Sequence, residues 1–176
     1  MIFRETKLQG AYTIELERIK DERGFFARSL CQKEFEEHGL NSLIVQCNIS
    51  YNEAKGTLRG MHYQAVPYEE AKLVSCIRGT IFDVIIDLRR DSATYCQWVA
   101  VEFSGDNYRM LYVPEGFAHG FQTLEDNTVV CYQMSEFYYS EYTRGVRWND
   151  KAFGIKWPMD KSIIASKDCQ FSDFVR

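Results

Sequence analysis

The chain has 176 residues, with Lys+Arg 21 against Asp+Glu 25, a formal net charge of −4 and 45% hydrophobic residues. A length inside the usual ~100–200 residues of one domain leaves no room for a second catalytic unit, so 1–176 reads as a single domain. The acidic balance provides no extended basic surface for nucleic acid, and the hydrophobic content fits neither a disordered chain nor a membrane protein.

The N-terminal stretch carries scattered charges and no apolar run of the kind a signal peptide or an ~18-residue membrane span needs, so a soluble, cytoplasmic protein with no membrane partner is expected. Downstream, apolar positions recur mostly with period two, as in Tyr12, Ile14 and Leu16, and in Val99 and Val101 set opposite Trp98 and Ala100. The spacing predicts strands over 11–19, 24–30, 43–51, 57–64, 71–78, 80–88, 96–104, 108–113, 120–124 and 127–138. Lys55-Gly56, Arg78-Gly79, Ser104-Gly105-Asp106 and Glu125-Asp126-Asn127 punctuate them as turns. Helix is expected only over 33–38, closed by Gly39, and in the segment after Ser162. Many short strands without intervening helices predict an all-β sandwich or barrel and argue against a Rossmann half, and neither GxGxxG nor GxxxxGK[ST] occurs. Aromatic residues make up 15% of the chain, enough to fill a core and still line the mouth of a barrel. Cys31, Cys47, Cys76, Cys96, Cys131 and Cys169 lie far apart with none in CxxC spacing, and are expected as buried, reduced thiols. Trp148 and Trp157 are expected to pack rather than to serve as stacking platforms.

Two segments set a histidine beside glycines at a strand edge: Gly56-Thr-Leu-Arg-Gly-Met-His62-Tyr-Gln64 and Pro114-Glu-Gly116-Phe-Ala-His119-Gly. Their spacings resemble the two motifs of the cupin superfamily, G-x5-H-x-H and P-x-G-x-x-H, whose histidines hold a metal inside a jelly-roll barrel. Gln64 stands where the second histidine of the first motif belongs. A neutral amide is a poor ligand for a transition metal, so no metal is expected and the chemistry must be acid–base. The remaining histidine, His38, falls at the end of the predicted helix. His62 follows Arg59 and precedes Lys72, a set of cationic donors that fits a diphosphate.

The segments DERGFF (21–26), QCNIS (46–50), GTLRGMHYQ (56–64), AKLV (71–74), GTIFDVIIDLRRDSATYCQW (79–98), YVPEGFAHGF (112–121) and GVRWND with GIKWP (145–158) closely resemble the dTDP-4-dehydrorhamnose 3,5-epimerase family, from about residue 10 to residue 170. The resemblance implies a cupin-like jelly-roll barrel with short peripheral helices, a homodimer, and neither metal nor organic cofactor. It also implies a nucleotide-diphosphate 4-keto-6-deoxy sugar as substrate, inverted at C3 and C5. A ketone at C4 acidifies the C3 and C5 protons, so the reaction needs a base, a proton donor on the opposite face, and a group that holds the enolate oxygen.

By this resemblance His62 is the base, Asp168 of Ser166-Lys167-Asp168 orients its ring, Tyr132 is the proton donor and Lys72 stabilises the enolate. Tyr138 is implied in substrate positioning and at the second centre. Arg59 and His119 would meet the diphosphate or the sugar, Gln46 and Asn48 the base and sugar, and Arg23 with Phe26 the nucleotide held by the partner subunit. Arg28 departs from the family, which typically carries a glutamate there among the base-contacting residues. Arginine exchanges an acceptor for a rigid donor fork, which would turn the nucleotide preference from dTDP toward CDP or another carrier unless the side chain points outward. Inversion at one centre only is the other alternative left open. A 3,4-ketoisomerase, a metal-dependent dioxygenase and a non-catalytic sugar-nucleotide binder fit Gln64 and the complete acid–base set less well.

Overall fold

The computed structural model describes residues 1–160 and 162–176. Two antiparallel sheets face one another as a jelly-roll barrel. The first runs in the order β1 (Ile2–Glu5), β2 (Tyr12–Glu15), β10 (Arg109–Val113), β7 (Lys72–Arg78), β12 (Thr128–Met134) and β5 (Gln46–Asn52). The second runs β13 (Thr143–Gly145), β6 (Thr57–Gln64), β11 (Phe117–Thr123), β8 (Thr80–Asp87) and β9 (Trp98–Ser104), with β14 (Ile163–Ile164) pairing parallel to β6. β3 (Ile19–Asp21) and β4 (Gly24–Phe26) form a separate hairpin, and the α-helices are α1 (Gln32–Glu37) and α2 (Ser166–Cys169).

Period-two alternation builds the core. Val74, Cys76, Leu111, Val113 and Val130 point inward from the first sheet and meet Ile81, Ile85, Phe103, Phe117 and Phe121 from the second. The outer face of the first sheet is covered in part by α1, whose buried Phe35 packs on Ile14, Leu73, Met110 and Tyr112. Burying such a side chain contributes about 1.5–3 kcal/mol. On the second sheet, Met61, Val84, Ile86 and Ala118 are covered by Val146, Phe153, Trp157 and Phe174. The β5 end of the first sheet has no such cover among the described residues, and Ile49 is 71% exposed there.

The strand reading needs five adjustments, the first being that 24–30 ends as a strand at Phe26. β1 was not expected, because Ile2–Glu5 is too short to show a period. The stretch 11–19 leaves its sheet after Glu15 and continues into the β3–β4 hairpin, at whose turn the Asp21 carboxylate accepts the Arg23 N–H. β11 starts at Phe117, three residues ahead of the expected 120–124. β12 ends at Met134, well short of 138, and the chain turns across the barrel mouth.

The cysteines also require a correction. All six are free, but only Cys76 and Cys96 are buried, while Cys47 and Cys169 are exposed. Alternation on the edge strand β5 turns Cys47 outward, and α2 buries Asp168 rather than its neighbour. Burial pushes the Cys76 thiol up to about 11.

Candidate active site

Apolar side chains fill one end of the barrel, and toward the other end the inward positions turn polar around a cavity of about 920 Å³. That volume lies within the ~300–1,000 Å³ of small-molecule sites. Gln46, Asn48 and Ser50 of β5, Lys72 of β7 and Tyr132 of β12 form one wall, and His62, Gln64 and His119 form the facing one.

His62 and His119 stand directly opposite one another across the β6–β11 pair. His62 Nε2 lies 2.8 Å from Asp168 Oδ1. A carboxylate oxygen only accepts, so Nε2 carries the hydrogen and Nδ1 keeps its lone pair. The Asp168 side chain is 2% exposed, and the Gly60 N–H donates to its second oxygen at 3.3 Å. Burial by itself would raise the Asp168 carboxyl, but the His62 hydrogen bond and charge, with the Gly60 N–H, hold it below the ordinary carboxylate value. Asp168 is therefore held as an anion beside the His62 ring.

Local packing explains how a residue so near the C-terminus reaches a central strand. β14 runs beside Thr57 and Leu58, which brings α2 over His62. Phe171 then fits against Gly145, where an added Cβ would lie 2.3 Å from the phenyl ring. A second close approach joins β6 and β11. A Cβ on Gly60, whose φ is +123°, would fall 2.5 Å from Gly120 Cα.

His119 forms a second imidazole–carboxylate pair, with Nε2 at 2.6 Å from Asp83 Oδ1, and Asp83 is fully buried. Lys72 is buried as well; its Nζ lies 2.7 Å from Glu70 Oε1 and 3.4 Å from the His62 carbonyl oxygen. Tyr132 points inward from β12, and burial raises its phenol above the ordinary value, with the Arg59 charge opposing and Tyr138 adding to the rise. Arg59 is steadied by its Nε donating to Asn52 Oδ1 at 2.7 Å. Tyr138 is 58% exposed at the cavity mouth, and its N–H donates to Gln46 Oε1. Asn48 lines the cavity with its amide directed at Met134 Sδ, at 3.3 Å.

His62, Asp168, Tyr132, Lys72, Arg59, His119, Gln46, Asn48 and Tyr138 thus come together in one cavity. Arg23, Phe26 and Arg28 do not join them within their own chain. Arg23 pairs with Asp21 and Phe26 is 72% exposed, both on the β3–β4 hairpin. Arg28 Nη1 donates to Glu34 Oε1 at 2.9 Å, which directs the guanidinium at α1 rather than at the cavity. Trp157 packs edge-on against Phe82 and donates to the Trp148 carbonyl oxygen. Sequence reasoning missed Asp83, Glu70, Asn52 and the cavity-lining Lys167. Of these, Asp83 had a signal: a carboxylate alone inside the apolar run Ile81–Ile86 has to be paired. Among the described residues no three His, Cys, Asp or Glu side chains converge as a metal site. The donors present support proton transfer next to a bound anion.

A profile of the family described as dTDP-4-dehydrorhamnose 3,5-epimerase matches residues 5–175. A protein of that name from Methanothermobacter thermautotrophicus is 45% identical over 169 residues, 94% of this chain and 90% of the relative. Among solved structures, a dTDP-4-dehydrorhamnose 3,5-epimerase from Elizabethkingia anophelis superposes with a TM-score of 0.96 at 40% identity, covering 99% of this chain and 96% of that one. The Bacillus anthracis enzyme of the same name, solved with TDP and PPi bound, gives 0.94 at 42% identity, covering 98% of this chain and 99% of that one.

Proposed function

The chain belongs to the dTDP-4-dehydrorhamnose 3,5-epimerase family, and on that footing we propose that it is an isomerase inverting C3 and C5 of a dTDP-linked 4-keto-6-deoxy-glucose, within one domain spanning residues 1–176. The observation that carries this reading is the His62–Asp168 pair on one wall of the cavity with the Tyr132 phenol on the other. A base and an acid on opposite walls can work on opposite faces of one sugar ring.

In each inversion His62 Nδ1 takes the proton from carbon, and Asp168 stabilises the imidazolium that results. The electron pair moves onto the C4 oxygen, where the Lys72 ammonium stabilises the enolate. At one centre Tyr132 then returns a proton to the opposite face of the carbon. One proton has passed from tyrosine to histidine, and exchange with solvent resets both groups. Tyr138, at the mouth, positions the sugar and serves the second centre.

Arg59 and His119 hold the diphosphate and sugar, while Gln46 and Asn48 meet the nucleoside. A homodimer completes the site. The β3–β4 hairpin carries Arg23 and the exposed Phe26 away from its own barrel, and the uncovered strand face with Ile49, Tyr51 and Ile77 offers an apolar surface for a second copy. The TDP bound in the Bacillus anthracis enzyme supports dTDP as carrier. Pairing of Arg28 with Glu34 supports the reading in which its side chain turns away from the base and dTDP is retained. Cytoplasmic sugar-nucleotide synthesis is the setting this activity fits.

The test is an assay in D2O of dTDP- and CDP-linked 4-keto-6-deoxy-glucose, with product stereochemistry and deuterium at C3 and C5 read by NMR. Two deuterons per product and a strong preference for dTDP are expected. Absence of solvent exchange with every substrate overturns the reading.

A further inference from the structure

Gln64 occupies the cupin-motif position where a metal-holding histidine would stand, and its side chain is committed to something else. The residue is 3% exposed, and its amide is fully engaged. Nε2 donates to the Tyr68 carbonyl at 2.8 Å and to the Phe137 carbonyl at 3.0 Å, and Oε1 accepts the Tyr139 N–H at 2.6 Å. Two donors and one acceptor on a planar head are what glutamine supplies and neither glutamate nor histidine does.

Two of those three bonds grip the peptide groups on either side of Tyr138. The N–H of Tyr138 itself is held by Gln46 Oε1 across the cavity mouth. The backbone root of Tyr138 is therefore fixed from both sheets while its ring remains largely exposed. Gln64 also reaches the other members of the site, since its N–H donates to Glu70 Oε2 and Glu70 holds Lys72. A buried polar group with every valence used rigidifies what it binds.

We infer that Gln64 is a positioning residue that sets Tyr138 against the bound sugar, and through it the relative rates at which C3 and C5 are processed. This rests on the epimerase reading above. A displacement of the phenol by a fraction of an ångström is enough to slow proton delivery at one carbon while leaving the other to Tyr132.

Deuterium entry at C3 and at C5 is to be followed separately by NMR for the wild-type enzyme, Gln64→Glu, Tyr138→Phe and the double variant. Gln64→Glu keeps the side-chain volume and an acceptor for the Tyr139 N–H but loses both donated bonds. The expected result is a change of about tenfold in the C3:C5 ratio for Gln64→Glu, matching that of Tyr138→Phe, with no further change in the double variant. A ratio equal to the wild-type one, or two effects that multiply, overturns the inference. If Gln64→Glu does not fold, Gln46→Met, which removes the acceptor for the Tyr138 N–H, takes its place: a matching shift in the ratio supports the inference, and an unchanged ratio or multiplying effects overturn it. A wild-type enzyme that exchanges neither carbon with solvent refutes the epimerase reading instead.

Discussion

Replacing His62 by alanine should abolish exchange of the sugar's carbon-bound hydrogens with solvent, while dTDP affinity, measured by calorimetry, stays within a few-fold of wild type. Asp168→Asn keeps the shape of the pair but removes the charge that stabilises the imidazolium, and a loss of about 10²–10⁴ in kcat is expected. The same carboxylate predicts a pH effect on stability. Its pKa is lowered in the folded chain, so its contribution is fully present above the ordinary aspartate value of about 3.9 and disappears as pH falls through the lowered one. Urea midpoints of wild type and Asp168→Asn should therefore converge below about pH 4 and separate above it. Tyr132 shifts the other way: raised above the ordinary phenol value of about 10, it is still the protonated donor at neutral pH. At this scale the sequence marked the two motif histidines because their glycine neighbours are distinctive. Asp83 showed only as a carboxylate in an apolar run and Glu70 not at all, since nothing in linear spacing says which carboxylate is buried beside which histidine or lysine. Arg28 was visible as a departure, but its pairing with Glu34 depends on where α1 docks.

Among the elements, β6 organises the site, and its register against β11 depends on two glycines in contact. Gly60→Ala places a methyl group 2.5 Å from Gly120 Cα at a φ of +123°. A destabilisation of about 2–4 kcal/mol is expected, seen calorimetrically as a melting temperature lower by roughly 5–15 °C. Because Gly60 also donates to Asp168, residual folded enzyme should show reduced kcat. The long strands were legible as apolar runs bounded by turn residues, with period two plain where one face is the more buried, as in β12. The β3–β4 hairpin was not. Ile19 and Phe26 are apolar yet 70% and 72% exposed, so a pattern that reads as a core strand lies on the surface. The chain beyond Met134 misled for a different reason: Phe137, Tyr138 and Tyr139 have strand-like composition, but their backbone groups are taken by glutamine side chains instead of a ladder.

At the level of the whole molecule, the exposed β5 face gives the proposed homodimer a measurable signature. Cys47 sits on that face with Ile49 and Tyr51, whereas Cys169 lies on α2. In an isolated chain both exposed thiols should react quickly with a disulfide reagent, and Cys76, held near 11, should not. In the dimer only Cys169 should remain fast, with Cys47 recovering on dilution to monomer as resolved by peptide mass spectrometry. Rapid labelling of both cysteines in a dimeric sample would move the interface elsewhere. Barrel architecture was readable from strand number and turn spacing; the exposed apolar face was not, because apolar side chains look the same in sequence whether they are buried in a core or left on the surface. The delivery of Asp168 by β14 and α2 has one more consequence. Both sheets are complete, apart from the two-residue β14, before that carboxylate is synthesised. A polypeptide released ahead of Ala165 would lack the counter-ion of its histidine together with Phe171 and Phe174, which pack on Gly145 and Phe153. The last twelve residues thus join the proposed proton transfer to the closure of the second sheet.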